Sequence, residues 1–388
     1  MKSRLTLIVL LCFMGFLKAN VARADQPTDS LQQELWRQPD FVRAYYVVAE
    51  PGGALYSVYG HACIHMICPA YGLDYFFTYE SENASRKILS FLAGNLHMGM
   101  QTLEAEEYLH SFAEDGRGVK EYEFNLPIEA KRKLWQVLDE KAAEGMNLPY
   151  DYEARGCAFA CVDILEQALG TENVEYGEWS PRFDRTRREI CNDFAKREYP
   201  WNSVVINAVV GADVTEHLSP REKLIIPTEV AEVLQNAKYN GEYILNRDAH
   251  VLLESRSVRN TPWFTPMAVA ILLLLLAVGN MYINVPYIDW LVLAVVTLIG
   301  VLVTYLVLLS SLPCTSWNWL IIPFNILPAI CWKWRKFWAL PYAAVIGTWV
   351  IYSLVSPHQL ADSSMIVTAI AFILILINKR NIKSFNIL

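Results

Sequence analysis

Charged residues are almost absent from the last third of the chain. Residues 261–388 contain 8 of the 73 charged residues, about 6% of their positions, whereas residues 1–260 contain the other 65, or 25%. A charged fraction near 25% is normal for a globular domain, and 6% is far below it. The contrast excludes a single water-soluble domain and indicates a soluble part followed by a membrane part.

The soluble part also lacks an excess of basic residues. Residues 25–260 hold 23 Lys or Arg against 38 Asp or Glu, which gives a net charge of −15. Because a nucleic-acid-binding domain needs a basic face, we expect no nucleic-acid partner. The chain has neither a glycine-rich phosphate-binding loop nor a zinc-binding cysteine pattern, so the sequence predicts no cofactor and no metal.

The N-terminus has the three parts of a secretory signal peptide. Lys2 and Arg4 precede a short apolar run at 5–17, and Ala-Arg-Ala at 22–24 provides a cleavage site. An uncleaved anchor helix is the alternative, but the run is short for a bilayer core of about 30 Å. We therefore predict a signal peptide over residues 1–24 and a mature chain that starts near Asp25, outside the cytoplasm.

Apolar stretches fill the C-terminal third, at 263–283, 288–312, 317–332, 337–356 and about 361–377. Each is close to the ~20 residues that a membrane-spanning helix needs, which predicts about five transmembrane helices. Pro323, Asn325 and Pro328 interrupt the third stretch, so we expect it to line a protein cavity or groove. Basic residues at 333–336 and 379–383 follow the third and fifth stretches, and the positive-inside rule places both clusters and the C-terminus in the cytoplasm.

A helix that starts with a cysteine is the first candidate for chemistry. Gly156 precedes and Gly170 follows a periodic apolar run, which predicts a helix of about three turns with Cys157 at its start. The amides and the dipole at a helix N-terminus stabilise an anion, so they can lower the pKa of a thiol there. The same spacing also suits a core stripe in which Cys157 and Cys161 only pack, and Cys161 is an alternative reactive thiol.

A predicted hairpin at 55–67 and 74–80 supplies a possible base. Its period-two alternation places His61, Cys63 and His65 on one face. A histidine on a neighbouring strand can take the proton of the thiol. The spacing alone leaves two alternatives to a catalytic base. His61 could be a structural histidine, or the three residues could form a metal site.

Three other segments receive simpler interpretations. Helical spacing at 127–145 predicts a packing helix, and the apolar run at 204–210 is either a strand or a surface patch that touches the membrane. The basic cluster at 182–188 is interpreted as a solvated face rather than a contact for phosphate or a lipid headgroup.

A series of short motifs runs in a fixed order along the mature chain. They are Tyr-Ser-x-Tyr-Gly-His at 56–61, Asp74 with Thr78-Tyr79, Phe-Leu-Ala-Gly at 91–94, Gly-Arg-Gly-Val at 116–119, Glu-Phe-Asn-Leu at 123–126, Tyr-Asp-Tyr at 150–152, Gly156-Cys157, Trp201 with Gly-Ala-Asp at 211–213, Ile-Pro at 226–227 and Trp-Asn-Trp-Leu-Ile-Ile-Pro at 317–323. In this order they resemble the Lnb-type family, including its membrane segment. The resemblance covers nearly the whole mature chain.

The resemblance implies a fold, a location and an activity. Proteins of this family are lipoprotein N-acyltransferases of Gram-negative envelopes. The expected architecture is therefore an α+β circularly permuted papain-like (NlpC/P60-like) periplasmic domain over residues 25–260. An all-α bundle of about five transmembrane helices over residues 261–388 would follow it in the inner membrane.

The resemblance also assigns site residues. It makes Cys157 the nucleophile and His61 its base. Asp74 is the favoured group to orient His61, with Glu80 next, because both lie on the adjacent strand. The possible supporting residues are Tyr56, Tyr79 and Gly156. The chain departs from the family at two positions: Gly156 stands where the family usually has Asn, and Cys314 stands where a polar residue is expected.

The implied reaction moves an acyl chain from a membrane phospholipid, through a cysteine thioester, to the N-terminal amine of a diacylglyceryl-cysteine lipoprotein. Its products are a triacylated lipoprotein and a lysophospholipid. Two alternatives stay open: a membrane-anchored cysteine amidase or peptidase that acts on cell-wall peptide, and a non-enzymatic envelope scaffold.

Overall fold

The structure is a computed structural model, and it describes residues 36–81, 87–149, 156–177, 186–211, 219–256, 264–356, 361–379 and 381–382. The predicted signal peptide at 1–24 and the Tyr-Asp-Tyr motif at 150–152 lie outside the described residues. Within them, a mixed α/β domain is followed by a helical C-terminal region.

An antiparallel sheet forms the centre of the soluble domain, with the strand order β10-β5-β1-β2-β3-β4-β6. The strands are β1 (Arg43–Ala49), β2 (His61–Cys68), β3 (Leu73–Ser81), β4 (His97–Glu104), β5 (Val119–Phe124), β6 (Leu148–Pro149) and β10 (Leu245–Leu253). A smaller sheet contains β7 (Val174–Glu175), β8 (Lys238–Tyr239) and β9 (Glu242–Tyr243).

Helices cover both faces of the large sheet. The helices of this domain are α1 (Ile88–Ala93), α2 (Ala105–Glu114), α3 (Ile128–Glu144), α4 (Cys157–Leu169), α5 (Arg187–Glu198), α6 (Pro200–Val209) and α7 (Pro227–Asn236). On β1, Tyr46 packs into the core formed with α3, α4 and α7, whereas Tyr45 and Val47 pack into the core formed with α2. Successive residues of a strand point to opposite faces, so β1 is buried on both.

Several predicted elements are confirmed. The predicted hairpin is the pair β2 and β3, the predicted packing helix is α3, and α4 begins at Cys157 and ends before Gly170. The strand interpretation of 204–210 is wrong, because Pro200 starts helix α6 and this helix continues to Val209.

The solvated interpretation of the basic cluster is also wrong for its last member. Arg188 is buried, and its guanidinium donates to Asn207 Oδ1 at 3.2 Å and to the carbonyl oxygen of Val210 at 2.7 Å. Arg188 therefore fixes the end of α6. Residues 182–185 lie outside the described part of the chain.

The C-terminal region has three helices long and apolar enough to cross a membrane, and these are α8 (Pro266–Ile283), α9 (Pro286–Leu309) and α11 (Arg335–Val355), which a 3₁₀ turn extends back to Trp332. A shorter apolar helix, α12 (Ser363–Ile377), follows. The third predicted stretch is not a continuous helix. It contains the 3₁₀ turns Pro313–Thr315 and Trp319–Ile321, the short helix α10 (Leu327–Ile330) and the turn Trp332–Trp334.

Side chains take over the hydrogen bonds that this irregular segment lacks. Asn325 donates to the carbonyl oxygen of Ile321 at 2.9 Å and to the hydroxyl of Tyr342 at 2.7 Å. The Tyr342 hydroxyl in turn donates to the carbonyl oxygen of Ile322 at 2.6 Å. Non-helical backbone within an apolar region needs such partners, and Pro323 and Pro328 explain why no regular helix forms here.

A buried polar cluster joins one end of the helical region. Asp289, at the start of α9, accepts from Asn280 at 2.7 Å and from Asn381 at 2.8 Å, and Arg335 donates to Asn381 at 2.7 Å. Asp289, Asn280 and Asn381 are all buried. The cluster therefore connects α8, α9, the start of α11 and the segment after α12.

Two helices of the soluble domain dock on the other end of this region. From α9 and the segment after it, Tyr305 donates to the carbonyl oxygen of Leu89 at 2.9 Å, and Ser310 donates to that of Leu92 at 2.7 Å; both acceptors belong to α1. From α6, the Trp201 indole donates to the carbonyl oxygen of Phe264 at 2.8 Å, just before α8. The domain is thus held by contacts to backbone carbonyls on both sides of the interface.

Gly300 gives a direct test of the packing between α9 and the irregular segment. A Cβ at Gly300 would lie 2.7 to 2.8 Å from backbone atoms of Asn325, whereas a Cβ at Gly279 in α8 would meet no atom within 4 Å. We predict that Gly300→Ala lowers the free energy of unfolding by about 1–3 kcal/mol through overpacking. Gly279→Ala should leave it unchanged or raise it by up to ~1 kcal/mol, since alanine favours helix.

Thermal unfolding of the full chain in detergent micelles, followed by tryptophan fluorescence, measures both effects. Equal behaviour of the two variants would contradict the close approach of the irregular segment to α9.

Candidate active site

Cys157 occupies the N-terminus of α4, where that helix meets the start of β2. Gly156 is the N-cap residue and has an extended backbone with φ −67° and ψ 161°. The Cys157 sulfur accepts from the backbone N–H of Ala62 at 3.4 Å and from that of Ala158. The thiol is therefore surrounded by main-chain donors, which favour its anionic form.

His61 is the first residue of β2, and Gly60 sets its position. Gly60 has φ +85°, and a Cβ there would lie 2.7 Å from the carbonyl oxygen of Ala49. His61 then pairs with Ala49 at the end of β1. Only glycine fits this turn, so the Gly-His dipeptide is needed to direct the chain into β2 beside Cys157.

A chain of hydrogen bonds extends from His61 away from the thiol. His61 Nε2 lies 2.7 Å from Thr78 Oγ1, and the Thr78 hydroxyl donates to Glu80 Oε1 at 3.2 Å. Tyr108 also donates to Glu80 Oε1, at 3.0 Å. A threonine hydroxyl has a single proton, so while Thr78 donates to Glu80 its oxygen accepts from Nε2–H of His61. The other ring nitrogen, Nδ1, is then the one that faces the thiol.

The two groups of the pair shift the pKa of each other in opposite directions. Burial raises the pKa of Cys157, but the positive charge of His61, its hydrogen bond and the two backbone N–H groups outweigh burial and lower it. Burial lowers the pKa of His61, but the negative charge of Cys157, its hydrogen bond and the charge of Glu80 raise it. The geometry favours a thiolate–imidazolium pair, the form in which a cysteine is nucleophilic.

Cys161, the alternative reactive thiol, has a different environment. It lies one turn further along α4 and is buried in the core, and burial raises the pKa of its thiol well above the ordinary value. Cys161 therefore stays protonated at neutral pH. The two environments therefore favour Cys157 over Cys161 as the candidate nucleophile.

Asp74 does not contact His61, so the structure corrects its assignment as the orienting group. The register of the hairpin pairs Cys63 with Thr78 and Ile67 with Asp74, which places Asp74 at the far end from His61. Thr78, with Glu80 behind it, occupies the orienting position. The second choice from the sequence, Glu80, is thus on the correct side of the hairpin and acts through Thr78.

The other predicted residues are distributed around the pair. Gly156 offers no side chain to the site, and Tyr56 lies on the loop before His61 with 57% of its surface exposed. Tyr79 lies between Thr78 and Glu80 in β3 and so points to the opposite sheet face, where it packs against the core that includes α4. The structure therefore leaves Tyr56 exposed on the loop that leads into His61, and it packs Tyr79 against the same core as Cys157.

Thr78, Tyr108 and Arg117 are site residues to which the sequence analysis gave no role. Thr78 belongs to the Thr78-Tyr79 motif, and Arg117 belongs to the Gly-Arg-Gly-Val motif at 116–119. Tyr108 belongs to α2 and has no sequence signal, because its contact with Glu80 is made across the sheet.

Asp74 instead belongs to a second cluster around His65. His65 Nδ1 lies 2.7 Å from Glu121 Oε2, and His65 Nε2 lies 2.6 Å from Asp74 Oδ1. The ring stacks on Phe76, with their centroids 4.2 Å apart. Both ring nitrogens are occupied, which argues against the metal site considered for this face, and within the described residues no group of three or more His, Cys, Asp or Glu could hold a metal ion.

Comparison with protein families adds to this geometry. Residues 33–187 match the family described as the Lnb N-terminal periplasmic domain. This segment is similar to the Lnb periplasmic domain. No curated protein and no solved structure matches the chain. The matched segment contains Cys157, His61, Thr78 and Arg117, so the predicted resemblance is confirmed where the candidate site lies. Together with the membrane-capable helices, the match indicates a membrane protein with a periplasmic domain.

The lowered pKa of Cys157 can be measured by alkylation. We predict that iodoacetamide modifies Cys157 at pH values well below those that ordinary thiols require. His61→Gln should move the midpoint of this pH profile upward, because it removes the positive charge and the hydrogen bond that lower the pKa of Cys157. Mass spectrometry of the labelled peptide gives the rate at each pH.

Cys161→Ala is the matched control and should leave this profile unchanged. Equal profiles for the wild type and His61→Gln would contradict the ion pair.

The His65 cluster predicts a pH dependence of stability. Burial lowers the pKa of His65, but its hydrogen bonds to Glu121 and Asp74 and their charges outweigh burial, so the pKa is raised above its ordinary value of 6.5. The stabilisation from protonated His65 is complete below about pH 6.5 and is lost as the pH rises through the raised pKa. We expect the melting temperature of the wild type to fall across this range more steeply than that of His65→Gln.

His250 is a second histidine beside this cluster, with Nδ1 3.7 Å from Glu121 Oε1. His250→Gln is therefore the control, and it should retain the slope of the wild type.

Proposed function

We propose that this protein is a lipoprotein N-acyltransferase that transfers an acyl chain from a membrane phospholipid to the N-terminal amine of a diacylated lipoprotein. The observation that carries the proposal is the Cys157–His61 pair, hydrogen-bonded to each other at the N-terminus of α4 and at the start of β2. This pair lies in a domain that docks on membrane-capable helices. The family match supports the same activity.

In the first half-reaction, the Cys157 thiolate attacks the carbonyl carbon of a phospholipid ester. Backbone N–H groups at the start of α4 and at Ala62 are the available donors for the tetrahedral oxyanion, since Gly156 has no side chain to contribute. When the intermediate collapses, His61 gives its proton to the departing alkoxide. A lysophospholipid leaves, and an acyl thioester forms on Cys157.

In the second half-reaction, the amine of the acceptor attacks the thioester carbonyl. His61, neutral after the first step, takes the proton of the amine as the new amide bond forms, and the sulfur leaves as a thiolate. The ion pair is thus restored. Thr78 keeps Nδ1 of His61 directed at the reacting groups in both steps.

A series of contacts connects the site to the helical region. The loop before His61 accepts hydrogen bonds at two carbonyl oxygens, from Tyr199 to Pro51 at 3.3 Å and from Asn202 to Gly53 at 3.1 Å. Tyr199 and Asn202 lie at the start of α6, which packs against the helical region. This arrangement supports a lipid substrate, because the rim of the site is built on an element that rests on the membrane helices.

Helix α1 supports the same orientation. Leu89 and Ile88 have 62% and 46% of their surfaces exposed, although both are large apolar residues. They lie next to Tyr305, which is one turn, or roughly 6 Å, before the end of α9. Apolar side chains at this depth beside a spanning helix are suited to the outer leaflet of the bilayer.

The finer architecture belongs to the same proposal. A papain-like core in permuted order agrees with a histidine strand that precedes the cysteine helix. An inner-membrane protein with five crossings agrees with α8, α9, the irregular segment, α11 and α12 in succession, with Lys333 and Lys379 on the cytoplasmic side.

Mass spectrometry of the N-terminal peptide of an envelope lipoprotein tests the activity. In cells depleted of natural N-acylation, we predict that the wild type and Cys161→Ala add a third acyl chain and release lysophospholipid. Cys157→Ala should leave the peptide diacylated, because no thioester can form.

Western blots and melting temperatures confirm that the variants are present and folded. A diacylated peptide in cells that contain well-folded wild-type protein would contradict the transferase activity. Purified protein would then be incubated with cell-wall peptides, where cleavage that depends on Cys157 would indicate an amidase.

A further inference from the structure

Arg117 is a buried cation beside the candidate site, and part of its guanidinium has no hydrogen-bond acceptor within the described part of the fold. Only 7% of its surface is exposed. Its Nε donates to the carbonyl oxygen of Glu50 at 2.7 Å, and its guanidinium lies 4.9 Å from the centre of the Phe112 ring. Among the described residues, no acceptor is within hydrogen-bonding distance of Nη2, which is also buried.

Asp115 supplies the largest favourable charge interaction of Arg117, but the buried Nη2 has no hydrogen-bond partner among the described residues and costs stability unless a ligand accepts from it. A buried N–H without a partner costs about 1–3 kcal/mol, and more when the group is charged. Burial lowers the pKa of Arg117, yet an arginine keeps its charge in proteins. The contact with Glu50 uses only Nε, so it leaves the buried Nη2 available for another acceptor.

The position of Arg117 connects it to the Cys157–His61 pair. Phe112 is a neighbour of both, because its ring is 4.9 Å from the Arg117 guanidinium and 6.5 Å from the His61 ring. Arg117 also interacts electrostatically with Cys157 and with the exposed Tyr56. The guanidinium therefore lies on the Phe112 side of the Cys157–His61 pair, within electrostatic range of both the thiol and the exposed Tyr56.

The loop at 51–57 is fitted closely around this arginine. A Cβ at Gly52 would lie 3.3 Å from Cδ of Arg117 and 2.5 Å from Oγ of Ser57. The backbone N–H of Gly52 donates to the carbonyl oxygen of Ser57 at 2.9 Å, which closes the loop over the side chain. Arg117 is thus held in place by the same loop that leads into His61.

We propose that Arg117 binds the phosphodiester anion of the acyl donor. The proposal rests on the transferase function given above and names the group by which the site selects its first substrate. A guanidinium is the side chain best suited to a phosphate, because its planar N–H groups match two oxygens at once. The domain carries a net charge of −15, so a phosphodiester needs a local cation of this kind to approach the thiol.

Only one of the two substrates, the acyl donor, carries the negative charge that Arg117 would bind. The donor carries an anionic phosphodiester close to the ester that reacts, whereas the acceptor presents a diacylglyceryl thioether and an amine. Arg117 therefore favours the donor when Cys157 is free. After the first half-reaction, the lysophospholipid takes its phosphate away, and the acceptor amine enters a site that no longer holds the anion.

The test compares two donors with the same acyl ester, one with a phosphate and one without. Purified full chain in detergent micelles receives phosphatidylglycerol or diacylglycerol, and intact-protein mass spectrometry measures the rate at which the Cys157 thioester forms. We predict that Arg117→Gln lowers kcat/KM for phosphatidylglycerol by about 10- to 100-fold. The same variant should change kcat/KM for diacylglycerol less than about threefold, and Arg117→Lys should give intermediate values.

Arg132→Gln is the matched control. Arg132 also lies over aromatic rings, Trp36 and Phe41, and also has an unpaired buried Nη2 within the described part of the chain. Phe41 lies just before the start of β1, whereas Ala49, at its other end, pairs with His61. Arg132→Gln should therefore keep the donor preference of the wild type.

Two outcomes would overturn the proposal. Equal losses with both donors would show that Arg117 only positions the loop, and unchanged rates with both would show that it has no role in donor binding. Inorganic phosphate separates a headgroup site from a site for the free ion. If inorganic phosphate weakly inhibits thioester formation from phosphatidylglycerol but not from diacylglycerol, the result supports a headgroup site. If phosphate binds but the enzyme shows no preference between the two donors, the result contradicts it.

Failure of the transferase function would look different. In that case the wild type would form no thioester with either lipid, although p-nitrophenyl esters would still acylate an activated Cys157. This result would contradict both the transferase function and the phosphate site at Arg117. A thioester that forms equally well from both donors would contradict the phosphate site alone.

Discussion

The contact between the Cys157 sulfur and the backbone amide of Ala62 is the interaction on which the rest of the site depends. It joins the N-terminus of α4 to the second residue of β2, and these two elements come from distant parts of the chain. Gly60 makes it possible by turning the chain into β2 next to the end of β1. Once this junction is made, the imidazole of His61 faces the thiol, and Thr78 supports it from the adjacent strand.

The sequence was sufficient to predict the elements that carry the pair, because each has a local signal. Two glycines bound α4, and period-two alternation marks the hairpin. The orienting residue could not be predicted in the same way. Asp74 and Glu80 lie on the same strand, and only the pairing register, with Ile67 opposite Asp74, decides which end meets His61. Tyr108 was inaccessible for a related reason, since it reaches Glu80 from a helix on the sheet face.

The membrane part shows the same limit. Hydropathy located all the apolar stretches, but it contains no information about whether a stretch is helical. The third stretch is irregular because of its prolines, and its backbone is satisfied by Asn325 and Tyr342, which are 17 positions apart. Its close contact with α9 at Gly300 could not be read from composition either, because glycine is common in membrane helices for several reasons.

The buried cluster around Asp289 has a mechanical consequence. It fastens α8, α9 and α11 together at the end opposite the periplasmic domain, by hydrogen bonds that water cannot replace in an apolar surrounding. The end that carries the domain is held by a series of hydrogen bonds to backbone carbonyls, which include those from Ser311 to Ala93 and from Asn318 to Ala208, and by apolar contacts. The two ends of the helical region are therefore joined in different ways, by a buried side-chain network at the Asp289 end and by contacts with the soluble domain at the other.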